Sequence, residues 1–238
     1  MTDRQLVKRK ASEICRTAAP SVILAGLIIS AVSLLIEYLS TRLVGISLTD
    51  AQLERVYNAY ISGDIDFLAR FANRVKPDNV EVLINIALRV LKVLLSAGFI
   101  IFVLNTIRGT GAVYGNLLDG FSITWRVLLL NLLEGLMLVL GSLLLVVPGI
   151  ILAYAYRQAI YLLIDHPEKT VRECMRESRA MMKGHKWELF VFDLSFLGWG
   201  ILSLIIPLAD IWVFPYFETS CAIFYESVSG NTQYYQSC

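Results

Sequence analysis

The chain has 238 residues, of which 56% are hydrophobic and only 17% are charged, and its mean hydropathy is +0.62. A water-soluble domain of this length could not bury so much apolar surface, so the composition indicates an integral membrane protein. A net charge of +1 also argues against a nucleic-acid partner, because nucleic-acid-binding proteins carry a concentrated basic surface.

The first segment, residues 1–20, is predicted to be a basic amphipathic helix. Val7, Ala11 and Ile14 share one face, and Lys and Arg residues take the other positions. Such a helix is expected to lie along the inner leaflet, with the N-terminus in the cytoplasm. The apolar run in residues 21–40 is too long for a signal-peptide core and has no small-residue cleavage site. We therefore interpret it as a retained first span.

The polar segment that follows, residues 41–79, is predicted to be an external loop containing two short helices. Thr49 and Gln52 form a capping-box pattern, and Gly63 marks the break between the helices. Leu53, Tyr57 and neighbouring apolar side chains form a stripe. The loop is therefore expected to pack against the membrane or the helix bundle.

A glycine-rich stretch, residues 108–126, follows the second span. It lacks the Lys-Ser/Thr pair of a phosphate-binding loop and the spacing of a dinucleotide-binding loop. We interpret it as a flexible connector, because glycines commonly form turns between helices.

The second half of the chain is predicted to contain four more spans. Pro148 favours a tight hairpin between the third and fourth spans, and Pro215 predicts a kink in the last one. The fold class is therefore all-α: a polytopic membrane helix bundle of about six transmembrane helices with amphipathic interfacial helices. The predicted spans are residues 21–40, 82–107, 127–147, 149–164, 189–206 and 211–228, which form one membrane domain (21–228), and residues 229–238 form a disordered tail.

A charged amphipathic helix, residues 168–184, is predicted between the fourth and fifth spans. Thr170 and Glu173 form a capping box, and Gly184 fits a helix C-terminus. Its many Lys and Arg residues place it, with both chain termini, on the cytoplasmic side. We expect it to lie on the membrane surface, where it could contact anionic lipids or dock a membrane or cytoplasmic protein. The candidate residues are Val171, Arg172, Met175, Arg176, Arg179, Met182, Lys183 and Trp187.

Four charged residues lie inside predicted spans: Glu134, Arg157, Asp193 and Glu218. Charges at such depth are costly and mark packing pairs or functional sites. One interpretation is that Arg157 bridges one of the three acids and fixes helix packing. The other is a proton- or cation-accepting cavity. Asn131 is a candidate hydrogen-bond partner of Glu134 in either case.

Signals for an enzyme are weak. The sequence has no HExxH or GxSxG motif, and its two histidines, His166 and His185, lie at the ends of the charged helix. The four cysteines lack metal-ligand spacing, so free thiols are expected. Tyr154 and other aromatic residues are interpreted as packing and interface anchors. No catalytic residue, cofactor or metal site is predicted.

Several segments together resemble a known bacterial integral-membrane family, catalogued as domain of unknown function number 975. They are TWRVLLLNLL, VVPGIILAYAYRQAIYLLIDHP, MMKGHKWELF, VFDLSFLGWGIL and VFPYFETSCAIFY, and the resemblance extends over nearly the whole chain. It implies a six-helix protein of the bacterial inner membrane and supplies no biochemical function.

These observations favour a non-enzymatic scaffold or accessory subunit in the bacterial cytoplasmic membrane. The alternative is a small transporter or channel that uses the intramembrane charges. A membrane enzyme acting on lipids is the third hypothesis. It ranks last because no catalytic constellation supports it.

Overall fold

The computed structural model describes residues 4–44, 50–74, 79–144, 146–206 and 209–230. Throughout this part the regular secondary structure is helical and no strand occurs, which confirms the predicted all-α class. Most of the predicted tail lies outside the described residues. The chain divides into two compact units, Met1–Ala31 with Val93–Cys238, and Val32–Lys92.

In the part of the chain that the structure describes, three helical segments are long and apolar enough to cross a membrane: Val22–Arg42, Asn79–Arg108 and Tyr114–Ser142. They support the prediction of a membrane protein. In chain order, the elements are α1 Arg4–Thr17, α2 Val22–Val44, α3 Asp50–Ser62, α4 Ile65–Arg74, α5 Asn79–Arg108, a 3₁₀ helix Tyr114–Ile123, α6 Thr124–Leu144, α7 Val146–Tyr156, α8 Ala159–Asp165, α9 Val171–Met181, α10 Lys186–Leu194, α11 Leu197–Ile205 and α12 Asp210–Val228.

The N-terminal helix α1 is amphipathic, as predicted, but its apolar face packs against α12. Val7 and Ala11 are completely buried. The Cys15 thiol lies 3.8 Å from Oγ1 of Thr219, in the middle of α12. The apolar face of α1 is therefore covered by protein and cannot insert into the inner leaflet.

Part of the glycine-rich segment after α5, Tyr114–Ile123, is a 3₁₀ helix that packs against α5, which the interpretation as a connector did not predict. A Cβ atom on Gly98 would lie 2.0 Å from the carbonyl oxygen of Leu117, and one on Gly120 would lie 2.0 Å from that of Leu94. Only glycine permits two backbones to approach this closely. The glycines therefore mark a contact between α5 and the 3₁₀ helix.

The helices α6 and α7 form the predicted hairpin, and Leu145 between them lies outside the described residues. Gly141 and Gly149 face each other, since a Cβ on Gly141 would lie 3.0 Å from the Cα of Gly149. Pro148 lies in the first turn of α7, where its missing N–H costs no helical hydrogen bond. The turn of the hairpin therefore precedes Pro148.

Two predicted spans are interrupted rather than continuous. The fourth, residues 149–164, is divided into α7 and α8 by a turn at residues 157–158. The fifth, residues 189–206, is divided into α10 and α11 at residues 195–196. Neither interruption contains proline or glycine, so the residue types that usually signal a helix break are missing. The apolar pattern predicted the two segments but could not predict these turns.

In the unit Val32–Lys92, the predicted external loop contains the two short helices α3 and α4. Gly63 separates them with a positive φ of 70°. Asp64 Oδ1 then accepts a 2.9 Å hydrogen bond from the Phe67 N–H and caps α4. The predicted break is therefore confirmed, whereas Thr49 of the predicted capping box lies outside the described residues.

Candidate functional site

An ion pair joins the two interrupted segments. Arg157 begins the turn between α7 and α8, and Asp193 lies at the end of α10, next to the second turn. Arg157 Nη1 lies 3.1 Å from Asp193 Oδ2, and the side chains are 36% and 19% exposed. This charge-assisted contact ties one interruption to the other.

The two other predicted acids, Glu134 of α6 and Glu218 of α12, lie within electrostatic range of the same guanidinium group. Both interact electrostatically with Arg157, and the Cys221 thiol lies 3.7 Å from Arg157 Nη2. The structure therefore gathers all four predicted charged residues. Asp193 is the acid that forms the ion pair, a choice that the sequence left open.

The hydrogen bonds at this site differ from the prediction. Asn131 Nδ2 donates to the Val127 carbonyl oxygen at 2.9 Å, so Asn131 is not the partner of Glu134. Gln158, missed in the sequence, is only 2% exposed. Its Oε1 and Asp193 Oδ1 have no hydrogen-bond partner within the described part of the chain. A buried acceptor of this kind costs about 1–3 kcal/mol. Tyr154 already interacts with the Asp193 carboxylate, so Gln158 Oε1 is the candidate contact for a further donor group.

A crevice of about 490 Å³ opens beside the ion pair, between α6, α7 and α10. The Arg157 guanidinium and Tyr154 side chain line one part of it, and Ser142 lies near the α6–α7 hairpin. Tyr154 was predicted only as a packing residue. The apolar walls come from Leu138, Gly149, Ile150, Ala153 and Phe190.

A second charged group, the Arg108 cluster (Arg108, Asp165, Tyr225 and Glu226), joins the ends of α5, α8 and α12. Arg108 Nη1 and Nη2 each lie 2.7 Å from an Asp165 oxygen, and Nε lies 2.7 Å from Glu226 Oε1. The Tyr225 hydroxyl donates to Asp165 at 2.7 Å. Sequence reasoning missed this cluster, although its residues lie near the predicted ends of three spans on one side of the membrane.

The capping box of α9 is confirmed. The Glu173 carboxylate accepts a 2.7 Å hydrogen bond from the Thr170 N–H, and Thr170 Oγ1 accepts from the Glu173 N–H at 3.4 Å. The bond from the Thr170 backbone lowers the pKa of Glu173 below its usual value. Glu173 is therefore ionised when it caps the helix.

The apolar face of α9 lies inside the protein, which corrects its interpretation as a surface for lipid or a partner. Val171, Met175 and Met182 are buried, and the Ser178 hydroxyl donates to the Ala155 carbonyl oxygen of α7 at 2.9 Å. An amphipathic pattern predicts that one face is covered, but it cannot tell protein from membrane as the cover. These three apolar residues are thus unavailable for docking.

The basic face of α9 points away from the bundle. Trp187 is 70% exposed, and its ring stacks on Phe190 with 5.2 Å between the centroids. The basic residues among those predicted to contact lipid or a partner are therefore accessible. The exposed basic residues of this face are Arg172, Arg176, Arg179 and Lys183.

The described cysteines are free thiols, as predicted: Cys15, Cys174 and Cys221 are all buried without a disulfide. Cys238 lies outside the described residues. Burial raises the pKa of Cys174, so its thiol is protonated and unreactive at neutral pH. Among the described residues, no three His, Cys, Asp or Glu side chains are placed to hold a metal ion.

The chain matches a known family over part of its length. Residues 142–232 match the family described as "Protein of unknown function (DUF975)". The match confirms the resemblance seen in the sequence over these residues, which include α7 to α12, the Arg157–Asp193 pair and most of the crevice. No curated protein and no solved structure matches the chain.

Proposed function

We propose that this chain, whose residues 142–232 belong to that family of unknown function, is a non-enzymatic membrane protein that carries a small solute through its helix bundle. The observation behind the proposal is the Arg157–Asp193 pair, which joins the turns of two interrupted helices. Interrupted helices in secondary transporters present polar groups within the membrane and bind substrates there. Intramembrane charges are costly, which supports a functional role for the pair.

The proposed placement is multi-pass in a bacterial cytoplasmic membrane, with about six spans and both termini in the cytoplasm. The three long apolar segments supply three spans, while α7–α8, α10–α11 and α12 supply the others. Support comes from the distribution of Lys and Arg, which are concentrated in residues 1–20 and 168–184 and absent from residues 127–156. On this placement α9 lies at the cytoplasmic surface.

A solute pathway would make the site accessible to water from both sides of the membrane. The test places a single cysteine at Glu218→Cys, in a chain whose native cysteines are replaced by serine. Oriented vesicles are then treated with a membrane-impermeant thiol reagent on one side at a time. We expect labelling from either side.

The matched control is Leu24→Cys, at an exposed apolar position of α2 that is proposed to face lipid, and it should react from neither side. Labelling of Glu218→Cys from neither side would refute a pathway through this site. Labelling from the cytoplasmic side alone would reduce the proposal to a cytoplasmic cavity and also count against transport.

A second candidate function is the accessory subunit favoured by the sequence, and the exposed basic face of α9 supports it. Because the methionine face is buried, docking would use Arg172, Arg176, Arg179 and Lys183 against an acidic protein surface. Crosslinking in native membranes tests this idea. A stoichiometric partner should disappear when the four residues become Gln, whereas Met175→Leu should have no effect on it. Recovery of the chain alone, or of a partner that survives the four changes, would exclude this docking mode.

A further inference from the structure

The crevice between α6, α7 and α10 has apolar walls and one polar region. Most of its surface is aliphatic or aromatic, contributed by residues such as Leu138, Ile150 and Phe190. The Arg157 guanidinium and the Tyr154 ring are its polar features near the ion pair. Pockets with apolar walls and a few placed polar groups are typical of sites for small amphipathic molecules.

The polar part of the crevice is small, and its charged member is Arg157. A guanidinium has five N–H donors and no acceptor. Arg157 uses Nη1 for Asp193 and Nη2 for a long contact to Cys221, and its Cζ lies 5.6 Å from the centroid of the Phe217 ring. The carboxylates of Asp193, Glu134 and Glu218 do not line the crevice. A ligand entering here therefore meets a cationic donor, which complements an anionic acceptor such as a carboxylate.

The lining residues of the crevice follow one helix. It extends along α7 from Gly149 to Arg157, which is about 12 Å at 1.5 Å per residue. Its volume of about 490 Å³ lies in the range of sites for one small ligand. Trp187 stacks on Phe190, and Phe190 makes an edge contact with Tyr154 at 6.0 Å. This aromatic row leads from the exposed Trp187 to the polar part of the crevice.

We propose that the crevice binds a long-chain fatty acid, with its carboxylate on Arg157 and its acyl chain along α7 toward the α6–α7 hairpin. The inference rests on the proposed function, because it assumes the membrane placement and names the substrate class of that site. A free fatty acid is favoured over a phospholipid because the volume of the crevice, about 490 Å³, is that of a site for one small ligand.

The test uses the full-length protein in nanodiscs of phosphatidylcholine and a palmitate analogue with a photoreactive group at the end of its chain. Crosslinked residues should map to the crevice walls on α6 and α7. Ala153→Trp fills the crevice at an exposed position and should reduce labelling by about tenfold or more. The matched control, Ile151→Trp, is exposed on the same helix outside the crevice and should label as the unchanged protein does.

Competition identifies the ligand chemistry. Unlabelled palmitate should displace the probe, whereas hexadecanol, which has the same chain and no charge, should compete about tenfold less well. Arg157→Gln should abolish this preference. Competition by phosphatidylglycerol equal to that by palmitate would assign the crevice to bilayer lipid and overturn the proposal. Labelling that Ala153→Trp leaves intact would overturn the site itself.

These outcomes are separable from those of the proposed transport. Suppose that the probe labels the crevice and that Ala153→Trp blocks the labelling, but that no reagent reaches Glu218→Cys. This result would support the fatty-acid site and refute translocation. Accessibility from both sides with no crevice labelling would sustain a pathway and refute this substrate class.

Discussion

Lys8 Nζ donates a hydrogen bond to the carbonyl oxygen of Ser195 at 3.1 Å, although 187 residues separate them. The same ammonium lies 4.2 Å from the centroid of the Phe196 ring. Ser195 and Phe196 form the turn that separates α10 from α11. The N-terminal helix α1 therefore contacts the turn between α10 and α11 directly. In a continuous helix the Ser195 carbonyl oxygen would accept a backbone hydrogen bond instead.

Loss of this contact should loosen the interruption. The bond is exposed, and a hydrogen bond of this kind contributes about 0.5–1.5 kcal/mol. We therefore expect Lys8→Met to raise amide hydrogen exchange in residues 194–198 by about threefold. Arg9→Met removes an exposed charge from the same helix and is the control. Equal exchange in the two variants would show that Lys8 does not support the turn.

The Arg108 cluster predicts a contrast between a buried ion network and an exposed ion pair. The Glu226 side chain in the cluster is only 3% exposed. Removing the cation from a buried network leaves uncompensated carboxylates, so Arg108→Gln should lower the free energy of unfolding by about 3–5 kcal/mol. Lys92→Gln breaks the exposed 3.8 Å pair with Glu37 and should change it by less than about 1 kcal/mol. Similar effects in denaturant titrations would contradict the cluster's structural role.

The contact between α5 and the 3₁₀ helix predicts intolerance of even one methyl group. Gly98→Ala and Gly120→Ala each place a Cβ against a backbone carbonyl oxygen, which only a backbone shift could relieve, so we expect little folded protein from either. A Cβ on Gly135, in α6, meets nothing within 4 Å. Gly135→Ala should therefore fold normally and gain up to about 1 kcal/mol from helix propensity. Yields measured by size-exclusion chromatography in detergent would distinguish these outcomes.

The sequence predicted helices more reliably than it predicted what covers them. Apolar runs and the Thr170–Glu173 box identified the segments, because those signals are local. The same amphipathic pattern in α9 could not distinguish burial against α7 from burial in lipid, and the glycine-rich segment that contains Gly120 had the composition of a loop. Both of these errors concerned a contact distant in sequence.

The candidate site was predictable in part for the same reason. Charge inside an apolar run is visible locally, so Arg157 and Asp193 could be named without a structure. Gln158 is neutral and carries no such signal, and the Arg108 cluster depends on three helix ends meeting. The helix interruptions contain neither proline nor glycine, so only tertiary contacts, such as that of Lys8, distinguish them from continuous helix.

The α9 capping box predicts a local response to acid. Since the folded pKa of Glu173 is lowered by the Thr170 N–H, its contribution is complete above the unfolded pKa of about 4.3 and is lost as pH falls through the lower folded value. Amide protection in the first turn of α9, corrected for intrinsic exchange, should fall across that interval. Glu173→Gln should remove this pH dependence while Thr170 still caps the helix. An unchanged pH profile in that variant would assign the response to another group.

The Arg157–Asp193 pair allows its structural and functional roles to be separated by a double-mutant cycle. Arg157→Gln alone leaves the Asp193 carboxylate without its cation, so it should lower stability by about 3–5 kcal/mol. Adding Asp193→Asn removes the unpaired carboxylate charge and should recover much of that loss, with a coupling energy of about 1–3 kcal/mol.

If the pair only fixes packing, the double variant should recover every property that stability controls. If Arg157 holds a ligand carboxylate, the double variant should fold but still fail to prefer palmitate over hexadecanol. Thermal unfolding and photolabelling of the same preparations give both readouts, and recovery of the preference would refute a direct role for the guanidinium.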